Sequence, residues 1–218
     1  MEIGKFIALE GIEGAGKSTQ RDYMQGYLQD AGFEVVMTRE PGGTPLAEII
    51  RELLKKPHEE EFTPKAEAML FFAAREQHLD QVIRPALARG AIVLCDRFVD
   101  STYAYQAAGG KVDRKFIEVL DEIIVGDTKP DMTFIFKVDP LVGLARAGKR
   151  GELDRMDSKG EAYYTCAQDE FLRMAAEAPA RYTVIDANVS QQQVSAQLMP
   201  AMMTLVNSMR SRANIIPR

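Results

Sequence analysis

A glycine-rich stretch near the amino terminus, GIEGAGKST at residues 11–19, restricts the possible folds of this chain more than any other feature. It fits the pattern G-x-x-x-x-G-K-[ST], follows the apolar run KFIAL and precedes a helical pattern. Glycines let main-chain N–H groups approach phosphate oxygens closely, and the following helix directs the positive end of its dipole at the anion. The stretch therefore predicts a phosphate loop that binds a nucleoside triphosphate.

The polar residues of this loop have different expected roles. Lys17 is expected to reach the β- and γ-phosphates, and Ser18 is expected to offer its hydroxyl to Mg²⁺. Glu13 is unusual, because a carboxylate in the loop repels phosphate unless Mg²⁺ or a substrate hydroxyl lies between them. The residues expected to contact ATP are Gly11, Ile12, Glu13, Gly14, Ala15, Gly16, Lys17, Ser18 and Thr19.

Apolar runs alternate with helical patterns along the rest of the chain. The predicted strands are KFIALE, EVVMTRE, AIVLCD, DMTFIFKVD and RYTVIDA, and helices are predicted between them, including residues 17–29, 46–55 and 64–87. Ser190 and Gln193 have capping-box spacing, which predicts the start of a last helix. The alternation predicts an α/β fold, a five-stranded parallel sheet flanked by helices in the three-layer α/β/α arrangement of P-loop kinases. We expect residues 1–218 to form a single domain.

Composition excludes several classes of protein. A net charge of -5 argues against non-specific binding to nucleic acid, which needs a basic surface. The two cysteines form no CxxC pair, and no apolar run approaches the ~20 residues of a membrane span. We therefore expect a cytoplasmic protein that binds neither nucleic acid nor membrane. His58 and His78 lack partners at metal-ligand spacing, so a structural or surface role is expected for each.

The pair Asp96-Arg97 directly follows the apolar run AIVLC. An acidic residue at the carboxyl end of a parallel strand lies in the ligand crevice of such a sheet. Asp96 is therefore expected to orient Mg²⁺ through water, and Arg97 is expected to face a phosphate.

A regulatory GTPase is one alternative, and it requires an Asn-Lys-x-Asp motif at the end of a strand. The nearest sequence is TKPD at residues 128–131, which precedes a predicted strand instead of ending one. The short chain, with its spare substrate crevice and a charge-rich loop at about residues 147–158, favours a small phosphotransferase.

Five segments occur in an order and at a spacing that resemble bacterial thymidylate kinase: GIEGAGKST, TREPGGTPLAE, LFFAAREQH, DRFVDSTYAYQ and RGELDR. The resemblance spans roughly residues 5–194. It implies transfer of the γ-phosphate of ATP to dTMP, giving dTDP and ADP for dTTP synthesis. It also implies Mg²⁺ as cofactor and a homodimer. Two alternatives stay open: a kinase for another nucleoside monophosphate, and a nucleotide-binding switch that hydrolyses NTP without an acceptor.

The resemblance also implies an acceptor site. Arg39 and Arg97 match positions that hold the 5′-phosphate, and Arg75 matches the arginine at the base edge. Phe71 matches the aromatic residue stacked on thymine, but the adjacent Phe72 leaves this alignment uncertain by one residue. Residues implied to contact dTMP are Glu13, Arg39, Phe71, Phe72, Arg75, Arg97, Ser101, Thr102, Tyr105 and Gln106.

The charged loop at about residues 147–158 matches a mobile lid that closes over ATP, with Arg150 and Arg155 as its cations. The phosphate loop has no basic residue between Gly11 and Gly16, so the resemblance implies that the lid supplies the cation that stabilises the transition state. Arg146 is implied to lie over the adenine. The residues implied to be catalytic are Glu13, Lys17, Arg97, Arg150 and Arg155.

Overall fold

The structure, a computed structural model, describes residues 4–149, 155 and 159–213. Within these residues five strands form one sheet: β1 Lys5–Glu10, β2 Val35–Arg39, β3 Ile92–Asp96, β4 Met132–Lys137 and β5 Tyr182–Asp186. Their order is β2-β3-β1-β4-β5, and every neighbouring pair is parallel. This confirms the predicted five-stranded parallel sheet. The carboxyl ends of β1 and β3 lie side by side at the centre, where such sheets bind ligands.

Helices cover the sheet. They are α1 Lys17–Asp30, α2 Pro45–Lys55, α3 Pro64–His78, α4 Arg84–Ala88, α5 Val99–Thr102, α6 Arg114–Leu120, α7 Pro140–Gly148, α8 Glu161–Glu177 and α9 Gln191–Ala213. Three π-helical stretches, Leu79–Ile83, Tyr103–Gly109 and Asp121–Val125, continue α3, α5 and α6. The helix predicted over residues 64–87 is therefore interrupted by a π-helical stretch. The stretch Tyr103–Gly109 follows α5 directly and is π-helical, a form that often occurs at functional sites.

Side chains cap several of these helices, as their sequences lead one to expect. The Thr44 hydroxyl accepts a hydrogen bond from the Ala47 amide at 3.1 Å at the start of α2. At the start of α9 the Gln193 amide donates to Ser190 Oγ at 3.4 Å, and the Ser190 amide donates to Gln193 Oε1 at 3.1 Å. The predicted capping box is thus confirmed. Helix α1 differs, because it follows Gly16 and has no side-chain cap, which leaves its first amides available to a ligand.

The core lies on both faces of the central strands. Eight apolar residues of β1 and β3 have no solvent exposure: Phe6, Ile7, Ala8, Leu9, Ile92, Val93, Leu94 and Cys95. Both faces of a parallel sheet are covered by helices, which is why these strands are continuous apolar runs. The core holds the carboxyl ends of β1 and β3 in a fixed register, with Leu9 opposite Asp96. No helix within the described ranges is long and apolar enough to cross a membrane.

Candidate active site

A pocket of about 380 Å³ lies beyond the carboxyl ends of β1 and β3. It brings together most of the side chains that the sequence assigned to ATP or dTMP. The assigned residues that line it are Glu13, Gly14, Ala15, Gly16, Lys17, Ser18, Arg39, Phe71, Arg75, Asp96, Arg97, Ser101, Thr102, Tyr105 and Gln106. The phosphate loop and the segments assigned to the acceptor, which are far apart in sequence, therefore share one cavity.

The phosphate loop packs directly on the backbone of α7. Gly14 has a φ of +73°, and a Cβ there would lie 2.0 Å from the Gly143 carbonyl oxygen. A Cβ on Gly143 would in turn lie 2.6 Å from the carbonyl oxygen of Glu13. Neither position tolerates a side chain without a backbone shift. Glycine is therefore required on both sides of this contact, which holds the loop against the fold.

Lys17 is buried inside the loop that it belongs to. Its ammonium donates to the carbonyl oxygens of Gly11 at 2.8 Å and of Ile12 at 3.1 Å. Burial, together with the positive charge of Arg97, lowers the pKa of Lys17 to about 8. Gly11 and Ile12 are buried in the base of the loop, and Thr19 is exposed; none of these three lines the pocket. They shape the loop or begin α1.

Arg97 joins the phosphate loop to the acceptor side of the pocket. Its backbone has a φ of 67°, which is unusual for a residue with a side chain. Its guanidinium contacts Glu13 Oε1 at 2.5 Å and Ser101 Oγ at 3.1 Å. Glu13 Oε2 accepts a hydrogen bond from the Tyr105 hydroxyl at 3.0 Å. The charge of Glu13, unexpected in a phosphate loop, is thus balanced by Arg97.

Glu10 is a buried carboxyl group that sequence reasoning missed. Its Oε1 accepts from the Phe98 amide at 2.7 Å, and its Oε2 pairs with the Ser101 hydroxyl at 2.6 Å. Burial, reinforced by the nearby Asp100, raises the pKa of Glu10 to about 8. Since Ser101 also contacts Arg97, Glu10 supports the position of that guanidinium. The only signal in the sequence was an acidic residue at the end of an apolar run.

Asp96 and Ser18 both line the pocket. Asp96 Oδ1 is buried and has no hydrogen-bond partner among the described residues. No group of three or more His, Cys, Asp or Glu suited to a metal occurs in the part of the chain that the structure describes. Magnesium in nucleotide sites takes one or two protein ligands and completes its shell with phosphates and waters, so this sparse donor set fits Mg²⁺.

The two adjacent phenylalanines of α3 have different positions. Phe71 lines the pocket, whereas Phe72 is 1% exposed, belongs to the core and is not a lining residue. The ring of Phe72 lies 4.8 Å from Arg75 Cζ. This placement corrects the assignment of Phe72 to the dTMP contacts: of the two rings, Phe71 is the one available to a base.

Arg75 is buried, with 2% exposure, although a guanidinium on a helix is normally at the surface. Its Nε donates to Glu40 Oε2 at 2.7 Å, and its Nη2 donates to Thr102 Oγ1 at 3.0 Å. Its Nη1 is buried and has no hydrogen-bond partner among the described residues. One donor of the guanidinium is therefore available to a ligand in the pocket.

Arg39 and Gln106 have partners at the edges of the pocket. Arg39 is half exposed and pairs with Glu48 Oε2 at 3.0 Å. Gln106 Nε2 donates to Glu67 Oε1 at 3.2 Å. Sequence reasoning missed several other lining residues, among them Arg51, Lys55 and Tyr163, because they lie in helices whose orientation it did not predict. Tyr163 fixes the π-helical stretch through its hydroxyl, which donates to the Tyr105 carbonyl at 3.1 Å.

The arginines assigned to ATP and its lid are placed differently from the expectation. Arg146 donates to the Ala187 carbonyl at 3.1 Å and does not line the pocket. Arg155 also lies outside the lining: it donates to the Leu54 carbonyl at 2.9 Å and to Glu67 Oε2 at 2.7 Å. In this structure Arg155 is therefore bound to α2 and α3. Arg150, with most of the predicted lid, falls outside the described residues.

Comparison with known proteins decides which phosphate-loop family is present. A family model described as thymidylate kinase matches residues 9–198. The chain belongs to the thymidylate kinase family. It is 52% identical over 195 residues to a thymidylate kinase of Pseudomonas putida, covering 89% of this chain and 93% of that protein. It is 55% identical over 184 residues to a thymidylate kinase of Pseudomonas fluorescens, covering 84% of this chain and 88% of that protein.

A solved structure supports the same conclusion for the fold. The crystal structure of thymidylate kinase from Ehrlichia chaffeensis has a TM-score of 0.74 to this kinase, at 34% identity, and covers 91% of this chain and 98% of that one. This kinase phosphorylates dTMP, with ATP as the other substrate, in the synthesis of dTTP. The prediction of a dTMP kinase is thereby confirmed over the two alternatives that the sequence left open.

Proposed function

We propose that ATP and dTMP react end to end within the pocket, with the triphosphate on the phosphate loop and the pyrimidine between α3 and the residues after β3. One observation carries this proposal. Lys17 at one end of the cavity and Phe71 and Arg75 at the other line the same continuous space. The phosphate donor requires a site that binds anions, which the phosphate loop supplies. The nucleotide acceptor requires a flat ring and a hydrogen-bond donor for its base, which Phe71 and Arg75 supply.

The donor end uses the loop amides, the start of α1 and Lys17. An ATP phosphate offers the Lys17 ammonium a stronger acceptor than the two carbonyl oxygens that it now contacts. Binding therefore extends Lys17 towards the β- and γ-phosphates. Gly14 and Gly16 keep their main-chain N–H groups unobstructed for the phosphate oxygens. Arg146, which donates to the carbonyl of Ala187 directly after β5, is proposed to lie on the adenine side.

The acceptor end holds dTMP by charge and by stacking. Arg97 and Arg39 neutralise the 5′-phosphate, which lessens repulsion between two anionic reactants. Phe71 stacks on thymine, and the available Nη1 of Arg75 donates to a carbonyl oxygen of the base. Thr102 and Gln106 line the base, while the Tyr105 ring limits the space beside the sugar and so favours a deoxyribose. Glu13 lies near the sugar and orients Arg97.

We also propose that Mg²⁺ is the cofactor. Ser18 would contribute its hydroxyl and Asp96 would contribute its carboxylate through water. The buried Asp96 Oδ1 that lacks a partner within the described ranges supports this assignment. The ion would neutralise negative charge on the β- and γ-phosphates.

In the chemical step an oxygen of the dTMP phosphate forms a bond to the γ-phosphorus of ATP. The bond from that phosphorus to the bridging oxygen breaks, and ADP leaves with the electron pair. Lys17 and Arg97 stabilise the charge on the transferring group, and a lid arginine is proposed to add a further cation, worth ~10³-fold or more in rate. Of the two candidates, Arg150 is favoured, because Arg155 is engaged by Glu67 and by the end of α2.

A second copy of this chain is proposed to cover an apolar surface on α2, α3 and residues 114–125. These elements pack side by side, yet each exposes large apolar side chains. The exposed residues are Leu46, Ile49, Leu53, Met69, Val119 and Ile123, between 39% and 73% exposed. Clusters of this kind mark contact surfaces. Sedimentation of the wild type should give a dimer mass, and Ile49→Glu should give a monomer; an unchanged mass for this variant would refute the assignment.

Cysteine usage supports a cytoplasmic location, which we propose for this kinase. Cys95 is buried and Cys166 is exposed, and neither forms a disulfide. Free thiols persist in a reducing compartment. Fractionation of cells that produce the protein at its native level tests this, and its recovery in an oxidising compartment would contradict it.

The decisive experiment measures ADP formation with Mg-ATP and a panel of acceptors: dTMP, dUMP, dCMP, dGMP, AMP and UMP. We expect dTMP to have the highest kcat/KM. Phe71→Ala should raise KM for dTMP with little change in KM for ATP, since it removes the stacking surface. Glu76→Ala, on an exposed position of the same helix, is the matched control and should leave both constants unchanged. Wild-type kinetics for Phe71→Ala would refute the placement of thymine.

A further inference from the structure

A cluster of four buried polar side chains lies behind the acceptor end of the pocket. Thr38 and Glu40 come from β2 and the residue after its end, and Arg75 and His78 come from α3. Glu40 Oε2 accepts from Arg75 Nε at 2.7 Å, and Glu40 Oε1 is 3.0 Å from His78 Nδ1. His78 Nε2 is 2.6 Å from Thr38 Oγ1. All four residues are 8% exposed or less, so each polar atom depends on its partners in the protein.

The fold gives this cluster little freedom to rearrange. Arg75 and His78 are three residues apart, so they lie on the same face of α3 and reach the same carboxylate. The imidazole also packs against the loop after β2: a Cβ on Gly43 would lie 2.5 Å from His78 Cδ2. The backbone of Glu40 is itself held, because its amide donates to the Asp96 carbonyl at 3.0 Å. His78 therefore bridges the base-binding helix and the loop that follows Arg39.

The hydrogen-bond pattern determines what His78 does. A carboxylate only accepts, so Nδ1 carries the proton and donates to Glu40, while Nε2 accepts from the Thr38 hydroxyl when the ring is neutral. Each oxygen of Glu40 then has its own donor, and the carboxylate contacts Arg75 through Nε alone. The neighbouring Nη2 is left to Thr102, and Nη1 has no partner among the described residues, in a side chain that lines the pocket.

Without the imidazole donor, Oε1 of Glu40 is buried and lacks a partner. The geometry that best satisfies it is the bidentate one, in which both carboxylate oxygens contact one guanidinium through adjacent nitrogens. In that arrangement Glu40 competes with Thr102 for Nη2 and turns the guanidinium. The available donor at Nη1 then moves from the position in which it meets the base.

We propose that His78 is a positioning residue for dTMP recognition: it occupies one oxygen of Glu40 so that Arg75 presents its remaining donor to the pyrimidine. This inference rests on the proposed function of Arg75 at the base edge. It assigns no contact between His78 and the substrate. The side chain acts through Glu40 and Arg75 alone.

Replacements at His78 separate its two hydrogen bonds. Asparagine places an amide N–H where Nδ1 lies and retains the donor to Glu40. Glutamine reaches the position of Nε2, so it retains the hydrogen bond with Thr38 and loses the one to Glu40. Leucine removes both. A displaced Arg75 loses its hydrogen bond to the base. Because the loss of a hydrogen bond to a buried charged group costs about tenfold in affinity, His78→Leu and His78→Gln should raise KM for dTMP about tenfold. His78→Asn should raise it less than either, and KM for ATP should stay unchanged.

A double-variant cycle tests whether His78 acts through Arg75. Steady-state KM and kcat for both substrates, and the thermal unfolding midpoint, are measured for His78→Leu, Arg75→Gln and the double variant. We expect the double variant to have the KM for dTMP of Arg75→Gln alone, because a guanidinium that is absent cannot be misplaced. His58→Leu makes the same chemical change at the other histidine, which is exposed and outside the pocket, and serves as the matched control.

The outcomes distinguish this inference from the proposed function. If Arg75→Gln retains the wild-type KM for dTMP, the assignment of Arg75 to the base is wrong. If Arg75→Gln raises KM but His78→Leu only lowers the unfolding temperature or the active fraction, His78 is merely structural and the inference is overturned. Additive losses in the double variant, or equal effects of asparagine and glutamine at position 78, overturn it as well.

Discussion

Binding of ATP should draw a proton onto Lys17. In the free protein, burial and the neighbouring Arg97 lower the pKa of this ammonium group to about 8, compared with 10.5 for an exposed lysine. A triphosphate placed next to the ammonium favours the charged form and should raise the pKa back towards the 10.5 of an exposed lysine. Uptake should therefore be about 0.1 proton per ATP at pH 7, about 0.5 at pH 8 and about 0.9 at pH 9, given a free pKa of about 8.

Isothermal titration calorimetry measures this quantity directly. ATP is titrated into the wild type at each pH in two buffers with different ionisation enthalpies, and the difference in heat gives the number of protons. Lys17→Arg is the matched control, because arginine stays charged at these pH values and so removes the titration of this side chain while it retains the positive charge. Glu10, with a pKa of about 8, titrates over the same range in both proteins, so the difference between them isolates Lys17.

The affinity for ATP should change in step with proton uptake. Because the neutral amine must first be protonated, Kd for ATP should rise about fivefold between pH 8 and pH 9 in the wild type and much less in Lys17→Arg. Equal proton uptake by the two proteins at pH 9 would refute the reasoning. So would an ATP affinity whose pH dependence is the same in both, because then Lys17 either is charged in the free protein or does not meet the phosphates.

Three further predictions follow from buried contacts. The pKa of Glu10 in the folded protein is raised to about 8, so this group contributes stability that is fully present below about pH 4.5 and is lost as pH rises through about 8. The unfolding free energy of the wild type should therefore decline between these pH values, by at most ~1.4 kcal/mol per pH unit from one group. Glu10→Gln should flatten this decline. Denaturant unfolding at several pH values measures this decline. An equal decline in the unfolding free energy of the wild type and of Glu10→Gln would contradict the prediction. Gly14→Ala should reduce kcat/KM for ATP at least tenfold, because its Cβ would lie 2.0 Å from a backbone oxygen, whereas Gly26→Ala, with open space around it, should not. Arg155→Ala and Glu67→Gln should each lower stability by ~1 kcal/mol, and the double variant should lose less than the sum of the two, as measured by urea unfolding; additive losses would show that the pair does not interact.

Local sequence patterns predicted the features that depend on neighbouring residues in the chain. The phosphate loop at residues 11–19, the five parallel strands and the capping box of Ser190 and Gln193 all appear in the structure as expected. Each follows from glycine conformation, hydrophobic periodicity or a side chain that bonds a nearby amide. The three π-helical stretches were not predictable in this way, because their apolar spacing is indistinguishable from that of ordinary helices.

The pairing of strands produced the contacts that the sequence could not reveal. Glu10 meets Ser101, 91 residues away, only because β1 and β3 are neighbours in the sheet. Phe71 and Phe72 are chemically identical, and the rotation of α3 alone places the first in the pocket and the second in the core. The family resemblance implied that Arg155 contacts the phosphates of ATP, but in the structure it pairs with Glu67.

The sequence alone therefore determined the kind of reaction, since phosphate binding depends on a short contiguous loop, and motifs spread along the chain identified the acceptor. Only the tertiary structure decided that the Arg75 guanidinium is buried and which side chains hold it in place. Arg75, Glu40 and His78 are buried, where water no longer satisfies their polar atoms, so each finds its partner across elements that the chain order does not bring together.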